Sequence, residues 1–171
     1  MNVSLTTKER MLLEDQKKHE EICIEKYNNY ARQATDPQLK NIFSNNAKIE
    51  QEHLNTVNQI LSGQVPAMNQ QGGSGQQGCG SQMNQGQAAG MQQTNQSAGT
   101  RPDNANMASD QSLCVDMLMT EKYVSGAYDT AIFECKDTQV RDVLNHIQKE
   151  EQKHGEAIYK YMESNGMYNA K

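Results

Sequence analysis

The chain has 171 residues, a formal net charge of −5 and no tryptophan. The acidic balance, and the lack of a basic stripe along any predicted helix, argue against a nucleic-acid partner. No segment approaches the roughly 20 apolar residues that span a bilayer, and residues 1–8 lack the apolar run of a secretory signal. We therefore expect a protein of a cytoplasm, without a membrane partner.

A low-complexity tract separates the two halves of the chain. Residues 62–109 hold nine of the twelve glycines, many glutamines and asparagines, and only Arg101 and Asp103 as charged residues. Such a segment buries too little apolar surface to offset the entropy lost on ordering, so we expect a flexible linker. The remaining residues, roughly 120, are enough for one four-helix bundle.

Capping signals predict a helical hairpin in the first half. Thr6-x-x-Glu9 has the form of a capping box, so the first helix begins near Thr6 and runs to about Thr35. Asp36-Pro37 supplies an N-cap followed by proline at the first helical position. The second helix then runs to about Leu61 and ends at Ser62-Gly63. The very short turn makes the two helices antiparallel.

A second hairpin follows the tract. The third helix is expected to begin near Ser109 or Asp110 and to end around Lys136. Asp137 caps the fourth helix, which runs to about Ser164 and stops at Asn165-Gly166. We therefore predict an all-α, ferritin-like four-helix bundle in which residues 1–61 and 110–171 form one bundle, with a long disordered crossover at 62–109.

The length of the crossover agrees with this topology. The second and third helices of such a bundle run parallel, so the connection must cover a helix of about 37 Å at 1.5 Å per residue. A flexible chain of 48 residues spans roughly 38 Å. Because the tract is longer than this reach demands, a further role such as self-association stays open.

One motif occurs in both halves. Glu50-x-x-His53 and Glu151-x-x-His154 lie 101 residues apart, and the same offset pairs Glu20 with Glu121. Residues i and i+3 share a helix face, so each motif presents a carboxylate beside an imidazole. Two such helices, with two more that each offer a glutamate, form the ligand set of di-metal carboxylate bundles. We predict six metal ligands: Glu20, Glu50, His53, Glu121, Glu151 and His154.

Each predicted ligand interrupts an apolar stripe; Glu20, for example, shares its stripe with Leu13, Tyr27 and Ala34. Burying four carboxylates without partners would cost many kcal/mol, and two divalent cations would supply the missing charge. Oxygen and imidazole ligands suit iron, manganese or zinc. Two alternatives stay open: the residues are solvated positions on glutamate-rich helices, or the site is inherited but no longer filled.

Two tyrosines and two histidines lie on the same predicted helices as the ligands. Tyr27 and Tyr128 follow Glu20 and Glu121 by one heptad, so they are candidates to hydrogen-bond a ligand carboxylate and assist catalysis; the alternative is a core tyrosine with a satisfied hydroxyl. His19 and His146 have no counterparts at the offset. We expect both at the surface or behind the ligands.

The four cysteines form no Cys-x-x-Cys pair, which argues against a rubredoxin-type iron centre or a zinc ribbon. Cys23, Cys114 and Cys135 lie on predicted helices and are expected to be small core residues. Cys79 lies in the glycine-rich tract. It is a candidate for an intermolecular disulfide, with a free thiol as the alternative.

Two resemblances follow from these residues. The ligand set, and the stretch from Ile42-Phe43 to Glu50-Gln51-Glu52-His53, resemble the rubrerythrin and ferritin superfamily. That resemblance implies Glu50 and Glu151 as bridges, Glu20 and Glu121 as terminal or bridging ligands, and one imidazole per metal. It also implies a di-iron or di-manganese oxidoreductase acting on peroxide or dioxygen as one possible function.

The second resemblance lies at the C-terminus. The segment Tyr161-Met162-Glu163-Ser164-Asn165-Gly166-Met167-Tyr168 is similar to the ending of the Coat F family of bacterial spore coat proteins, and Leu113–Lys160 resembles the helices before it. This implies a structural component of the endospore coat, made in the mother-cell cytoplasm, with other coat proteins or itself as partners. A metal-binding bundle without turnover is the third hypothesis.

Overall fold

The computed structural model describes residues 2–66 and 104–168, and only the backbone of residues 104–106 and 108. Four helices make up these residues: α1 (Thr7–Gln33), α2 (Pro37–Leu61), α3 (Asn104–Glu134) and α4 (Thr138–Ser164). The predicted all-α fold is confirmed.

The predicted capping residues are found at the starts of both helices of the first hairpin. The Thr6 hydroxyl accepts from the Glu9 amide at 3.2 Å, and the Glu9 carboxylate accepts from the Thr6 amide at 2.6 Å, which completes a capping box. The Asp36 carboxylate accepts from the Gln38 amide at 2.7 Å, with Pro37 as the first residue of α2. These local bonds satisfy amides that have no partner inside the helix.

The helices α2 and α4 end in the same way. Gly63 and Gly166, with φ of +86° and +67°, follow the C-caps Ser62 and Asn165. In each case the glycine amide and the next amide donate to carbonyls of the last helical turn, which is the Schellman pattern. A side chain at Gly63 would also crowd the Val3 carbonyl at 3.2 Å. Glycine is therefore required at that turn.

The start of α3 differs from the prediction. The helix begins at Asn104, before the expected Ser109 or Asp110, and ends at Glu134. Residues 104–109 contain neither glycine nor proline, and alanine and methionine among them favour helix. The start of α4 agrees with the prediction. Asp137 caps it, and its carboxylate accepts from the amides of Gln139 and Val140.

The two hairpins pack as one bundle. Helix α1 lies against α2 and α3, and α4 lies against α3 and α2. Along α1, Tyr27 contacts Glu121 and Thr35 contacts Asp110, so α3 runs antiparallel to α1. Because α2 is also antiparallel to α1, α2 and α3 run parallel. The end of α2 and the start of α3 therefore lie at opposite ends of the bundle.

Each hairpin supplies a buried carboxylate to the turn of the other. Asp110 of α3 accepts from the Thr35 amide at 2.9 Å, the Thr35 hydroxyl at 2.7 Å and the Asp36 amide at 3.0 Å. Glu9 of α1 accepts from the Lys136 amide at 2.7 Å. Glu9 and Asp110 are 101 residues apart, and so are Thr35 and Lys136. The sequence repeat is therefore also a pseudo-twofold relation in space.

Three cysteines lie in the core, as predicted. Cys23, Cys114 and Cys135 are buried and unbridged. Burial raises the pKa of all three thiols, to about 12 for Cys114 and about 11 for Cys135. They are therefore kept as unreactive thiols.

Two other predictions fall outside the described residues. Most of the 62–109 tract lies there, and so does Cys79. Within the described ranges, none of the helices combines the length and the apolar character that crossing a bilayer would require.

The carboxylates of Glu9 and Asp110, which are related by the pseudo-twofold axis, should stabilise the bundle measurably. Asp110→Ala removes the acceptor of three hydrogen bonds at the first turn. We expect it to lower the free energy of unfolding by roughly 2–3 kcal/mol, because bonds to charged groups are strong and their buried donors lose a partner. Urea denaturation followed by circular dichroism measures the change. Asp129→Ala, at an exposed position of the same helix, is the matched control; equal losses in both variants would contradict the role of Asp110.

Candidate metal centre

The six predicted ligands all point into the core, near the middle of their helices. None is more than 3 % exposed. The alternative in which they are solvated surface residues is therefore wrong. The set comprises Glu20 of α1, Glu50 and His53 of α2, Glu121 of α3, and Glu151 and His154 of α4.

These side chains form two overlapping groups. One oxygen or nitrogen from each of Glu20, Glu50, His53 and Glu151 lies within 4.8 Å of the others, and the same holds for Glu50, Glu121, Glu151 and His154. Glu50 and Glu151 belong to both groups. Each group has the mix of three carboxylates and one imidazole that a divalent cation accepts.

Both imidazoles turn the same nitrogen toward the cluster. His53 Nδ1 lies 3.0 Å from Glu151 Oε1 and 3.2 Å from Glu50 Oε2. His154 Nδ1 lies 3.0 Å from Glu50 Oε1 and 3.8 Å from Glu121 Oε2. The two rings are stacked, with centroids 5.8 Å apart. The Nδ1 atoms are thus the nitrogens available to a cation.

Two tyrosines hold the glutamates of α1 and α3 across the bundle. The Tyr27 hydroxyl donates to Glu121, and the Tyr128 hydroxyl donates to Glu20. Burial, and then the charge of these carboxyl groups, raises the pKa of both phenols well above 10. Each tyrosine is therefore a permanent donor that orients one carboxyl group. Tyr27 and Tyr128 are therefore core residues whose hydroxyls are satisfied by the carboxyl groups of two predicted ligands, so both interpretations given above apply to them.

Several buried polar atoms in the cluster have no hydrogen-bond partner. They are Glu20 Oε2, Glu121 Oε2, both carboxyl oxygens of Glu151, and Nε2 of His154. Leaving such atoms unpaired in a core is costly, since their bonds to water are lost and not replaced. The four oxygens belong to the two groups described above. The residues present therefore fit bound divalent cations.

The protons of the cluster balance its charge. Burial, and then the neighbouring carboxylates, raises the pKa of Glu20 and Glu121 well above 4.5. Burial acts on Glu50 in the same direction, but hydrogen bonds from His154 and His53 outweigh it and lower the pKa of Glu50 to about 2. Burial also acts on Glu151 to raise its pKa, but the imidazoles of His154 and His53, 3.8 Å and 3.0 Å from its oxygens, outweigh burial and lower the pKa of Glu151.

The histidines carry the compensating charge. Burial alone would lower their pKa, but the hydrogen bonds that His53 donates to Glu150 and Glu50, and the nearby Glu151 carboxylate, raise the pKa of His53 to about 12. Glu151 and Glu50 likewise raise the pKa of His154 to about 9. At a pH where Glu20 and Glu121 are neutral and both imidazoles are protonated, the charges of the six groups sum to zero. Replacing four protons by two divalent cations would leave that sum unchanged.

Two polar neighbours were not predicted. The Asn46 amide donates to the Tyr27 hydroxyl at 3.1 Å, and Glu150 Oε2 lies 2.9 Å from His53 Nε2. Neither residue has a polar counterpart at the 101-residue offset, so the repeat could not reveal them. The surface residue His146 lies 3.5 Å from the same Glu150 oxygen. A search for polar residues one position before each motif glutamate would have found Glu150 in α4 only.

The metal-free protein should lose stability as the pH rises. Between the unfolded and folded pKa values of Glu20, Glu121, His53 and His154, the folded chain holds more protons than the unfolded chain. Stability then falls by about 1.4 kcal/mol per pH unit for each excess proton. After chelation, we expect urea denaturation to give a lower free energy of unfolding at pH 9 than at pH 6. A rise over this interval would contradict the proton assignment.

Comparison with known proteins bears on the second hairpin. Residues 109–171 match the family model described as the Coat F domain. Neither the curated proteins nor the solved structures contain a match to the chain. The matched range covers nearly all of α3 and the whole of α4, which carry Glu121, Glu151 and His154. This match agrees with the resemblance of the C-terminal segment to the Coat F family.

Proposed function

We propose that this chain is a structural component of the bacterial endospore coat whose bundle holds two divalent metal ions. The match of residues 109–171 to the Coat F domain carries the coat role. The chain would be made in the mother-cell cytoplasm and then enter the coat. Its partners would be other coat proteins or further copies of itself, and Cys79 is the candidate for a disulfide cross-link between chains.

The metal assignment is supported by the two overlapping groups of buried ligands. Glu50 and Glu151 would bridge the ions, because each belongs to both groups. Glu20 and His53 would complete one position, and Glu121 and His154 the other. Bound iron, manganese or zinc would supply Lewis-acid chemistry, and iron or manganese redox chemistry as well. In a coat protein without turnover, the ions would instead brace four helices at mid-length.

A second candidate function is a di-iron or di-manganese oxidoreductase acting on peroxide or dioxygen. One observation favours it. A cleft of about 440 Å³ between α3 and α4 has Glu121 and Glu151 among its lining residues, so it lies next to two of the proposed ligands. Tyr27 and Tyr128 would then keep the carboxyl groups of Glu121 and Glu20 oriented during reaction. A coat layer that consumes peroxide would combine both functions.

The metal assignment makes a stoichiometric prediction. Protein incubated with Mn²⁺ or Fe²⁺ and desalted should retain about two ions per chain, one for each group. Glu50→Ala removes a ligand from both groups and should abolish retention, whereas Glu20→Ala should leave about one ion. Elemental analysis measures the content, and Glu52→Ala, at an exposed position of the same helix, is the control. Wild-type protein that retains no metal would contradict the assignment.

The coat role and the enzymatic role give different results in spores. An epitope-tagged chain should appear in the layer extracted by denaturant with reductant, and Glu50→Ala should enter that layer equally well. Glu50 lies outside the matched Coat F residues. Recovery of the chain only from the soluble spore interior would contradict the coat role. Peroxide consumption by the loaded protein, lost in Glu50→Ala, would instead support the oxidoreductase.

A further inference from the structure

The two halves of the candidate centre differ at the outer nitrogen of each histidine. His53 Nε2 is anchored by Glu150, at 2.9 Å. His154 Nε2 is buried and has no hydrogen-bond partner in the described part of the chain. The 101-residue offset places Ile49 on α2 where α4 has Glu150, and an isoleucine side chain cannot accept a hydrogen bond. The pseudo-twofold relation is therefore broken next to the ligands.

A second difference lies on the surface above Glu121 and Glu151. The cleft between α3 and α4 has Leu118, Gly155 and Tyr159 among its lining residues, with the two buried glutamates at its base. A Cβ at Gly155 would lie 3.6 Å from Leu118 Cδ1, so the missing side chain leaves this gap open. At the same offset, α2 carries the half-buried Leu54.

We propose that the two metal positions are inequivalent. The position formed with Glu20 and His53 retains its ion, and the position formed with Glu121 and His154 exchanges its ion through the cleft at Gly155. This inference rests on the proposed two-ion site and adds to it an order of filling and a path.

The difference in affinity follows from the anchoring of the ligands. A carboxylate bonded to the outer nitrogen of a metal-binding imidazole fixes the ring and makes the inner nitrogen a better donor; removing such a partner costs about 10–100-fold in affinity. Glu150 supplies this support to His53 alone. In the described part of the chain no hydrogen bond fixes the outer nitrogen of His154, whose ring packs against Tyr27 with centroids 6.1 Å apart.

The difference in exchange follows from access. Glu50 and Glu151 would be shared by both ions, so they cannot distinguish the two positions. Glu121 can, because it lines the cleft and belongs only to the group that contains His154. An ion bound there would be separated from the cleft by the Glu121 carboxylate.

Titration with Co²⁺ tests the order of filling. Metal-free wild-type protein should bind two ions in two steps, seen by calorimetry and by the visible absorption of Co²⁺. Glu150→Ile copies the residue of the other half, and its position is partly exposed, so the fold should tolerate it. We expect the tighter step to weaken by roughly 10–100-fold and the weaker step to stay unchanged. Glu25→Gln, exposed on α1, is the control.

The reverse substitution is a second test, in which a contact is added and none is removed. Ile49→Glu should offer His154 Nε2 the missing acceptor and tighten the weaker step. A single affinity for both ions in wild-type protein, or an unchanged tighter step in Glu150→Ile, would overturn the inference while leaving the site intact. Absence of any Co²⁺ binding would instead reject the proposed site itself.

Release kinetics test the path. Protein loaded with Zn²⁺ and mixed with a chelator should lose one ion fast and the other slowly. Gly155→Leu, which copies Leu54, should slow the fast phase several-fold without changing the number of ions bound. Gly155→Ala should have a smaller effect, since its Cβ fits at contact distance. Gly126→Leu, at an open position of α3, is the control. An unaltered fast phase in Gly155→Leu would overturn the proposed path.

Discussion

Four carboxyl groups and two imidazoles are buried together inside this bundle, and their charge has to be balanced there. In the metal-free chain, protons on Glu20, Glu121 and both histidines provide the balance. An arrangement that left one of these charges buried without a partner would cost several kcal/mol in desolvation free energy. The register of the four helices follows from this constraint, because a shift by one residue on any helix would turn a ligand away from the cluster.

The ends of the bundle hold that register in place. Glu9 and Asp110 each bind the turn of the opposite hairpin, so neither hairpin can slide along the other without breaking buried hydrogen bonds. At mid-length, Tyr27 and Tyr128 make two further cross-bundle bonds. These polar contacts between the hairpins, at both ends and at mid-length, are related by the same 101-residue offset. A duplicated hairpin is the simplest source of such symmetry.

The local rules of helix capping predicted most of the fold. Asp36, Asp137 and the two glycines after α2 and α4 mark their boundaries because each acts on amides or carbonyls within a few residues. The early start of α3 carries no such signal. In the site, helical spacing and the repeat identified all six clustered residues. Glu150 and Asn46 were not predicted because the 101-residue offset pairs each with an apolar residue. Only the packing of α2 against α4 and α1 brings them to His53 and Tyr27.

Diffraction from crystals of Mn²⁺-loaded protein, with anomalous scattering at the manganese edge, would locate the ions that the bundle binds. We expect two anomalous peaks in the core, about 3.5–4 Å apart, with Glu50 and Glu151 between them. The Nδ1 atoms of His53 and His154 should each contact one peak. Peaks confined to the bundle surface, or a core without any peak in crystals that hold manganese elsewhere, would contradict it.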